Sequence, residues 1–410
     1  VQPGRVWRWE VLPAGTVLTA FLRLRVPAPA DEARLLTLLL LACEGLHGPE
    51  GPGPGIRVGG RTGRGHGAVR ATHWAVRRHD LTDERDWFAY HARSWGQRWS
   101  EGADALADAP ADLATALTEC LRARGRAATA AHLSARAARP DRRHRAELHL
   151  TLAVAERPDP LGPPSDEPRP GPLMVGDVPV PERLGEVDRA HRQRPVVTDP
   201  DKATVHLAPV LGDTALFALF KRIGGRLARD AAEHLGAAPG HWRDWHGRWW
   251  GADADRRGRP RSSRIRLRAT PVVTGGAPLT TTRLTVDPLF GDAVDGRLFT
   301  TDLHCGGSAD VVVDVRGPDD AVRGLLTLLV RELATVPFDA LGAGTGGGNG
   351  RLTATRAHLT THPGDGGPPE TVDLITAVFE PDSAEAATAR GWLAALHGAL
   401  TRDGTRKESR

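Results

Sequence analysis

Apolar residues recur along the chain with two periods, and the switches between them mark out its elements. Val17 to Val26, reading Val-Leu-Thr-Ala-Phe-Leu-Arg-Leu-Arg-Val, ends in alternation and predicts a strand with one buried face. Pro27 and Pro29 close it. Leu35, Leu38, Leu39, Ala42 and Leu46 then share a helical face, so a helix is expected over 32–46 with Asp31 as its cap. A glycine-rich loop follows from Ile56 to Val69, and a strand is predicted over 68–76.

The same order returns later. Alternation predicts a strand over 145–154, and Leu216, Phe217, Phe220, Ile223 and Leu227 predict a helix over 213–235. Further strands are expected over 263–273 and 297–315, with an extended arm at 281–287. From Asp319, the positions Val322, Leu325, Leu326, Leu329 and Leu333 define another helix, followed by a glycine loop over 341–352 and a strand through Leu359. Strand, helix, glycine loop and strand thus occur twice, which reads as an internal repeat. Residues 82–142 read as helical, with Trp87, Trp95 and Trp99 expected to pack against a neighbouring helix. Trp249 and Trp250, followed by Arg256, Arg257, Arg259 and Arg261, read as a basic loop. The stretch over 155–200 is too long for an ordinary connection and is expected to be functional or disordered. A last helix is expected behind Asp382 and Glu385.

The chain's 410 residues suffice for two or three domains, and its 47 glycines and 32 prolines predict many loops. Its formal charge is only +4, but its positive charge is almost all arginine, with lysine only at Lys202, Lys221 and Lys407. A gene rich in G and C accounts for the overall excess. The arginines gathered within glycine loops need a second cause, and a guanidinium can grip phosphate with two parallel bonds. Cys43, Cys120 and Cys305 are too few and too scattered for a disulfide framework or a cysteine-only metal site, so a cytoplasmic protein is expected. The apolar run over 35–42 is too short to span a membrane.

The two glycine loops carry a resemblance. Gly59-Gly60-Arg61-Thr62-Gly63-Arg64-Gly65-His66-Gly67 and the run from Gly342 to Gly350 each follow a strand and a helix, and Leu12-Pro13-Ala14-Gly15-Thr16 leads into the first strand. In this the chain resembles the RAMP superfamily, the RNA-binding proteins of CRISPR effector complexes, over most of residues 10–80 and 145–361. The resemblance implies an α+β fold of tandem ferredoxin-like (RRM-like) RAMP domains, the first incomplete, with a helical insertion. It implies a partial domain over 1–80, a helical linker or insertion over 81–142, a second domain with a long loop and a thumb over 143–362, and a C-terminal helix and tail over 363–410. The first domain lacks the family's opening strand, so either the chain begins partway through a longer protein or a neighbour completes the sheet.

The second domain is most similar to the target-cleaving backbone subunits of type III effectors. Met174-Val175-Gly176, then Gly185-Glu186-Val187-Asp188, then Pro195-Val196-Val197-Thr198-Asp199-Pro200 follow that family's order. Its helix-start motif is replaced here by Val210-Leu211-Gly212-Asp213-Thr214-Ala215-Leu216, with Lys221 or Arg222 farther along. Ser262-Ser263-Arg264-Ile265-Arg266 resembles its strand, and Thr282-Arg283 with Phe299 its thumb. The resemblance implies that Asp188 is catalytic and binds Mg2+ or another divalent cation, supporting attack of a ribose 2′-hydroxyl on the adjacent phosphate. Implied RNA contacts are Gly59, Gly60, Arg61, Thr62, Arg64, Gly65, His66, Arg189, Arg192, Lys221, Arg222, Arg264, Arg283, Gly346, Gly347, Asn349 and Arg351. The implied partners are guide RNA, single-stranded target RNA and other effector subunits of an antiviral complex, with no membrane. Two alternatives stand beside cleavage: a non-catalytic scaffold or capping subunit, and a guide-processing endonuclease using His66 or His191. Apart from the resemblance, an aspartate in a basic loop also serves as a charge partner or turn former.

Overall fold

The computed structural model describes residues 11–46, 55–59, 67–138, 142–156, 169–177, 183, 185–199, 204–253, 260–335 and 337–401, except for the side chains of 156, 177, 293, 295 and 297. They fall into two units, one within 17–141 and one over 142–401 together with 11–16.

The first unit contains α1 (Glu32–Cys43), β1 (Ile56–Arg57), β2 (Ala68–Val69), α2 (Glu84–His91), α3 (Trp95–Asp104), α4 (Leu113–Ala123) and α5 (Ala127–Ala137). Its core joins Leu36 and Cys43 of α1 to Leu113, Leu117 and Leu121 of α4 and Ala130 and Leu133 of α5. The buried stripe of α1 is therefore offset from the one expected, and Leu38 and Leu41 face solvent. Asp31 makes no side-chain cap and instead pairs with Arg34 at 3.2 Å. Glu32 is buried, receiving Arg78 and Arg126 at 2.7 Å each. Burial works to raise its pKa, but the two arginines outweigh that and hold the carboxyl below its ordinary value.

The two predicted strands of this unit are largely unpaired. Residues 17–26 enter no ladder, and of the strand over 68–76 only Ala68 and Val69 pair, with Arg57 and Ile56. Alternation records a segment's capacity to be a strand; a ladder also needs a neighbour with free backbone groups.

The second unit contains β3 (Arg145–Glu156), β4 (Arg169–Pro170), β5 (Pro172–Leu173), β6 (Gly176–Asp177), β7 (Arg189–His191), β8 (Gln193–Asp199), β9 (Thr204–Pro209), α6 (Asp213–His234), α7 (His241–Trp250), β10 (Ile265–Leu267), β11 (Ala277–Val286), β12 (Ala293–Cys305), β13 (Ser308–Arg316), α8 (Asp320–Ala334), β14 (Leu352–His362), β15 (Glu370–Asp373), α9 (Leu374–Phe379) and α10 (Ala384–Thr401). The main sheet runs β10-β13-β3-β14-β15, antiparallel throughout, with β4 on the end of β3. Along the chain its principal parts follow in the order β3, α6, β10, β13, α8, β14.

Alternation on β3 sends Leu148, Leu150, Leu152 and Val154 into a core shared with Val311, Val313 and Val315 of β13, Phe220 and Ile223 of α6 and Leu325 and Leu329 of α8. Gly324 lets α10 pack closely on α8, since a Cβ there would lie 2.5 Å from the Trp392 carbonyl oxygen. Asp319 caps α8 as expected, bonding the Val322 N–H at 2.8 Å, whereas α10 is capped by Ser383 rather than Asp382. The tryptophans at 249 and 250, expected in a loop, end α7 and are buried.

Arg145, Glu147, Arg268 and Asp314 form a buried charge network on the other side of the sheet. Arg268 bonds Asp314 at 2.5 Å and Glu147 at 2.9 Å, and Arg145 bonds Glu147 at 2.7 Å. Burial raises the Glu147 pKa, but the hydrogen bond from His149 and the charges of Arg268 and Arg145 prevail and bring it down to about 2. Asp314 is shifted upward because its burial outweighs its bond to Arg268.

A second sheet is built on the long β11–β12 hairpin, whose inner strand continues onto β7 and β6 and also pairs with β5. The stretch over 155–200 thus supplies short strands to this sheet where it is described. β8 and β9 form a separate hairpin, to which Ala14 adds an isolated bridge at Val196.

Candidate nucleic-acid interface

The second glycine loop has a defined shape. Gly342, Gly344, Gly348 and Gly350 all have positive φ, a region that costs other residues steric energy. A Cβ on Gly342 would lie 2.1 Å from the Met174 oxygen, and one on Gly350 1.8 Å from the Leu341 oxygen. The backbone is tied down at both ends, by Ala343 N–H to the Met174 carbonyl at 2.7 Å and Gly350 N–H to the Pro172 carbonyl at 2.7 Å. Gly346 at the crest has open space around it, and a Cβ on Gly347 would meet the Arg283 guanidinium at 3.0 Å. Asn349 is buried beneath the crest, and its Oδ1 has no hydrogen-bond partner among the described residues.

The structure therefore brings the glycine crest and Arg283 of β11 together. Asp188 lies two strands away from Arg283, since Arg283 is opposite Phe299 on β12 and the neighbouring Thr300 holds Asp188. That hold is double: Asp188 N–H donates to the Thr300 carbonyl, and Asp188 Oδ2 accepts the Thr300 N–H, each at 2.8 Å. Arg189 is exposed and pairs in register with Thr301. Nearby, Asp302 accepts the Thr280 hydroxyl at 2.6 Å and lies 3.4 Å from Arg183.

Other candidate residues have structural partners. Lys221 Nζ donates to the Gly251 carbonyl at 2.9 Å. Arg264 donates to the carbonyls of Arg316 and Gly317 and lies over the Trp249 ring. Arg222 binds Asp339 at 2.7 Å and the Ala340 carbonyl at 3.1 Å, while Arg226 bridges Asp339 to Glu332. This brace fixes the approach to the glycine loop from α6. Sequence reading missed it because Asp339 is more than a hundred residues from its partners and belongs to no periodic element. Arg351 is exposed and Arg192 half-buried. Of the first loop's candidates only Gly59 is described, with φ +86° and open space around it; Gly60, Arg61, Thr62, Arg64, Gly65 and His66 lie outside the described residues.

His191, considered for histidine chemistry, is only 5% exposed, and its Nδ1 accepts the Val175 N–H at 3.2 Å. Burial first, and the neighbouring His304 second, push its pKa down to about 4. The neutral ring serves the packing of β7 and is shielded from a bulky substrate.

Among the described residues no group of three or more His, Cys, Asp or Glu side chains is arranged to hold a metal. Asp188 brings a single carboxylate, with Oδ2 already engaged by Thr300. Mg2+ is commonly held in that way, by one or two carboxylates with phosphate oxygens and water completing its shell. No helix among the described residues is long and apolar enough to cross a membrane. Searches against protein-family models and curated proteins return no match to this chain.

Proposed function

We propose that the chain is a guide-RNA-binding subunit of a type III CRISPR effector that holds a guide–target duplex and positions target RNA beside Asp188. The observation that carries this reading is the meeting of the ordered glycine crest with Arg283 of a long exposed hairpin, with Asp188 two strands away. Gly346 leaves room for close approach of a sugar-phosphate backbone, and a guanidinium beside it supplies charge-assisted bonds to phosphate. The β-α-β-β-α-β order around β3 is that of ferredoxin-like domains, which supports reading the second unit as one RAMP domain.

In this reading the hairpin is the thumb. Leu289 and Phe290 at its turn are about four-fifths exposed, as a wedge against stacked bases requires. A divalent ion at Asp188 would polarise the phosphate under attack. The chain's own part is to hold the phosphate at Arg283 and the glycine crest and to keep the Asp188 carboxylate oriented through Thr300.

The test is to purify the chain with its native partners and bound RNA and add a complementary labelled RNA, with and without magnesium. Asp188→Asn keeps an acceptor for the Thr300 N–H while removing the charge. Cleavage lost in this variant with RNA binding retained supports a nuclease. Intact RNA bound equally by both forms supports the scaffold alternative, and absence of RNA binding overturns the proposal.

A further inference from the structure

Phe338 is 83% exposed, more than any other large apolar side chain among the described residues, and it stands where the chain leaves α8 for the second glycine loop. The ring is nevertheless held. The Phe338 N–H donates to Glu332 Oε1 at 3.2 Å, and the Arg226 guanidinium lies 5.4 Å from the ring centroid, within cation–π range. Arg226 is itself bound by Glu332 and, at 3.3 Å, by Asp339, which also accepts from Arg222 at 2.7 Å. The backbone beside the ring and the cation against it are thus fixed from α6 and α8 together. Three residues after Phe338, the Leu341 N–H bonds the Gly350 carbonyl at 2.8 Å and closes the base of the glycine loop.

One face of the ring therefore meets Arg226 and the other meets water. Leaving so much apolar surface in water forgoes burial energy, so a rigid brace that keeps it out calls for an occupant. A protein contact is centred on a cluster of apolar side chains. Here Pro337, Asp339 and Ala340 beside the ring are half-buried and Leu341 is buried, while the groups against it are Arg226 and Glu332, so the ring stands singly among polar partners. A nucleobase needs one aromatic face only, and an arginine adds to such a stack.

We propose that Phe338 is a stacking platform for one unpaired base of the RNA strand whose backbone passes the glycine crest. The base is unpaired there, because inside a duplex both of its faces are covered by neighbouring bases. This inference rests on the RNA-binding reading above and adds to it a contact with the face of a single base, beside the phosphate contacts of Arg283 and the crest.

The experiment measures binding of the full chain to a labelled single-stranded oligoadenylate and to an abasic strand of the same length. Phe338→Leu keeps an apolar side chain and removes the π-face, whereas Phe338→Trp keeps the face. Because the ring is exposed, neither substitution should move the thermal midpoint. Phe338→Leu should weaken oligoadenylate binding roughly 5- to 100-fold, the contribution of one base–aromatic stack. It should leave binding of the abasic strand and the slope of log affinity against log salt unchanged, since no phosphate contact is lost. Phe338→Trp should bind oligoadenylate at least as tightly as the unaltered chain. Equal affinity of the unaltered and Phe338→Leu chains for oligoadenylate overturns the platform and leaves the RNA-binding proposal standing; if Phe338→Asp then releases a protein from the native assembly, the ring belongs to a protein contact. An equal loss on the abasic strand means that the brace and not the π-face was disturbed, and it too overturns the platform. Absence of RNA binding by every form removes both proposals.

Discussion

Asp188 shows how a residue can be placed before its role is. The family resemblance carried by Gly185-Glu186-Val187-Asp188 singled it out, but the bonds that orient it come from Thr300, more than a hundred residues later, through a strand pairing no local pattern encodes. The buried histidines are of the same kind. His191 and His246 are both pushed down to about 4, chiefly by burial, so the native state keeps them neutral where an unfolded chain would protonate them. Between about pH 6.5 and 4 the unfolded state binds more protons, so stability falls with acidification, by roughly 2–3 kcal/mol for each ring. Glu147 extends the trend below pH 4.5, since its depressed pKa gives stability that is lost as pH falls toward about 2. Urea unfolding followed at pH 7, 5.5 and 4 should show a steadily falling midpoint, and His246→Gln should flatten the decline. At the glycine loop, Gly350→Ala should cost about 2 kcal/mol or more, because φ +79° and the Leu341 carbonyl both oppose a side chain. Gly346→Ala, with open space around it, should leave the thermal midpoint nearly unchanged.

At the scale of elements, periodicity was an accurate guide where one face is buried along its whole length. β3, α6, β13, α8 and β14 lie within a few residues of their expected spans, because alternate or helically spaced apolar residues must reach one core. It was a poor guide to β4 through β7, which are two or three residues long and exist only because neighbouring backbone offers bonds. α7 was missed although Trp245 and Trp249 stand one turn apart, since the arginines beyond it suggested a basic loop. The junction of α8 and α10 yields a further prediction. Gly324→Val would push a side chain into the Trp392 backbone, so the variant should lose several degrees of thermal midpoint while α-helical circular dichroism at low temperature is retained. If the hairpin turn acts as a wedge, Phe290→Ser should weaken duplex binding several-fold with no change in that midpoint, because Phe290 is already exposed.

For the whole molecule, a net charge of only +4 means that the RNA binding proposed above rests on local arrangement rather than on overall charge. Binding should weaken at least tenfold between 50 and 200 mM salt, and Arg283→Ala should make the slope of log affinity against log salt shallower by about one counterion. An unchanged slope would remove Arg283 from the phosphate contacts. The sequence marked both glycine loops as unusual but could not distinguish the half-buried scaffold of the second from its open crest, because that depends on Met174 and Pro172 arriving alongside it. The central place of β3 also has a consequence in time. It is synthesised first among the strands of its sheet, yet its long partners, β13 and β14, begin more than 150 and nearly 200 residues later. At ribosomal speeds its two edges wait on the order of ten seconds or more for their neighbours. Throughout that interval the nascent chain carries this strand's alternating apolar face uncovered, so the yield of folded protein should depend on translation rate and on the chaperones that meet β3 as it emerges.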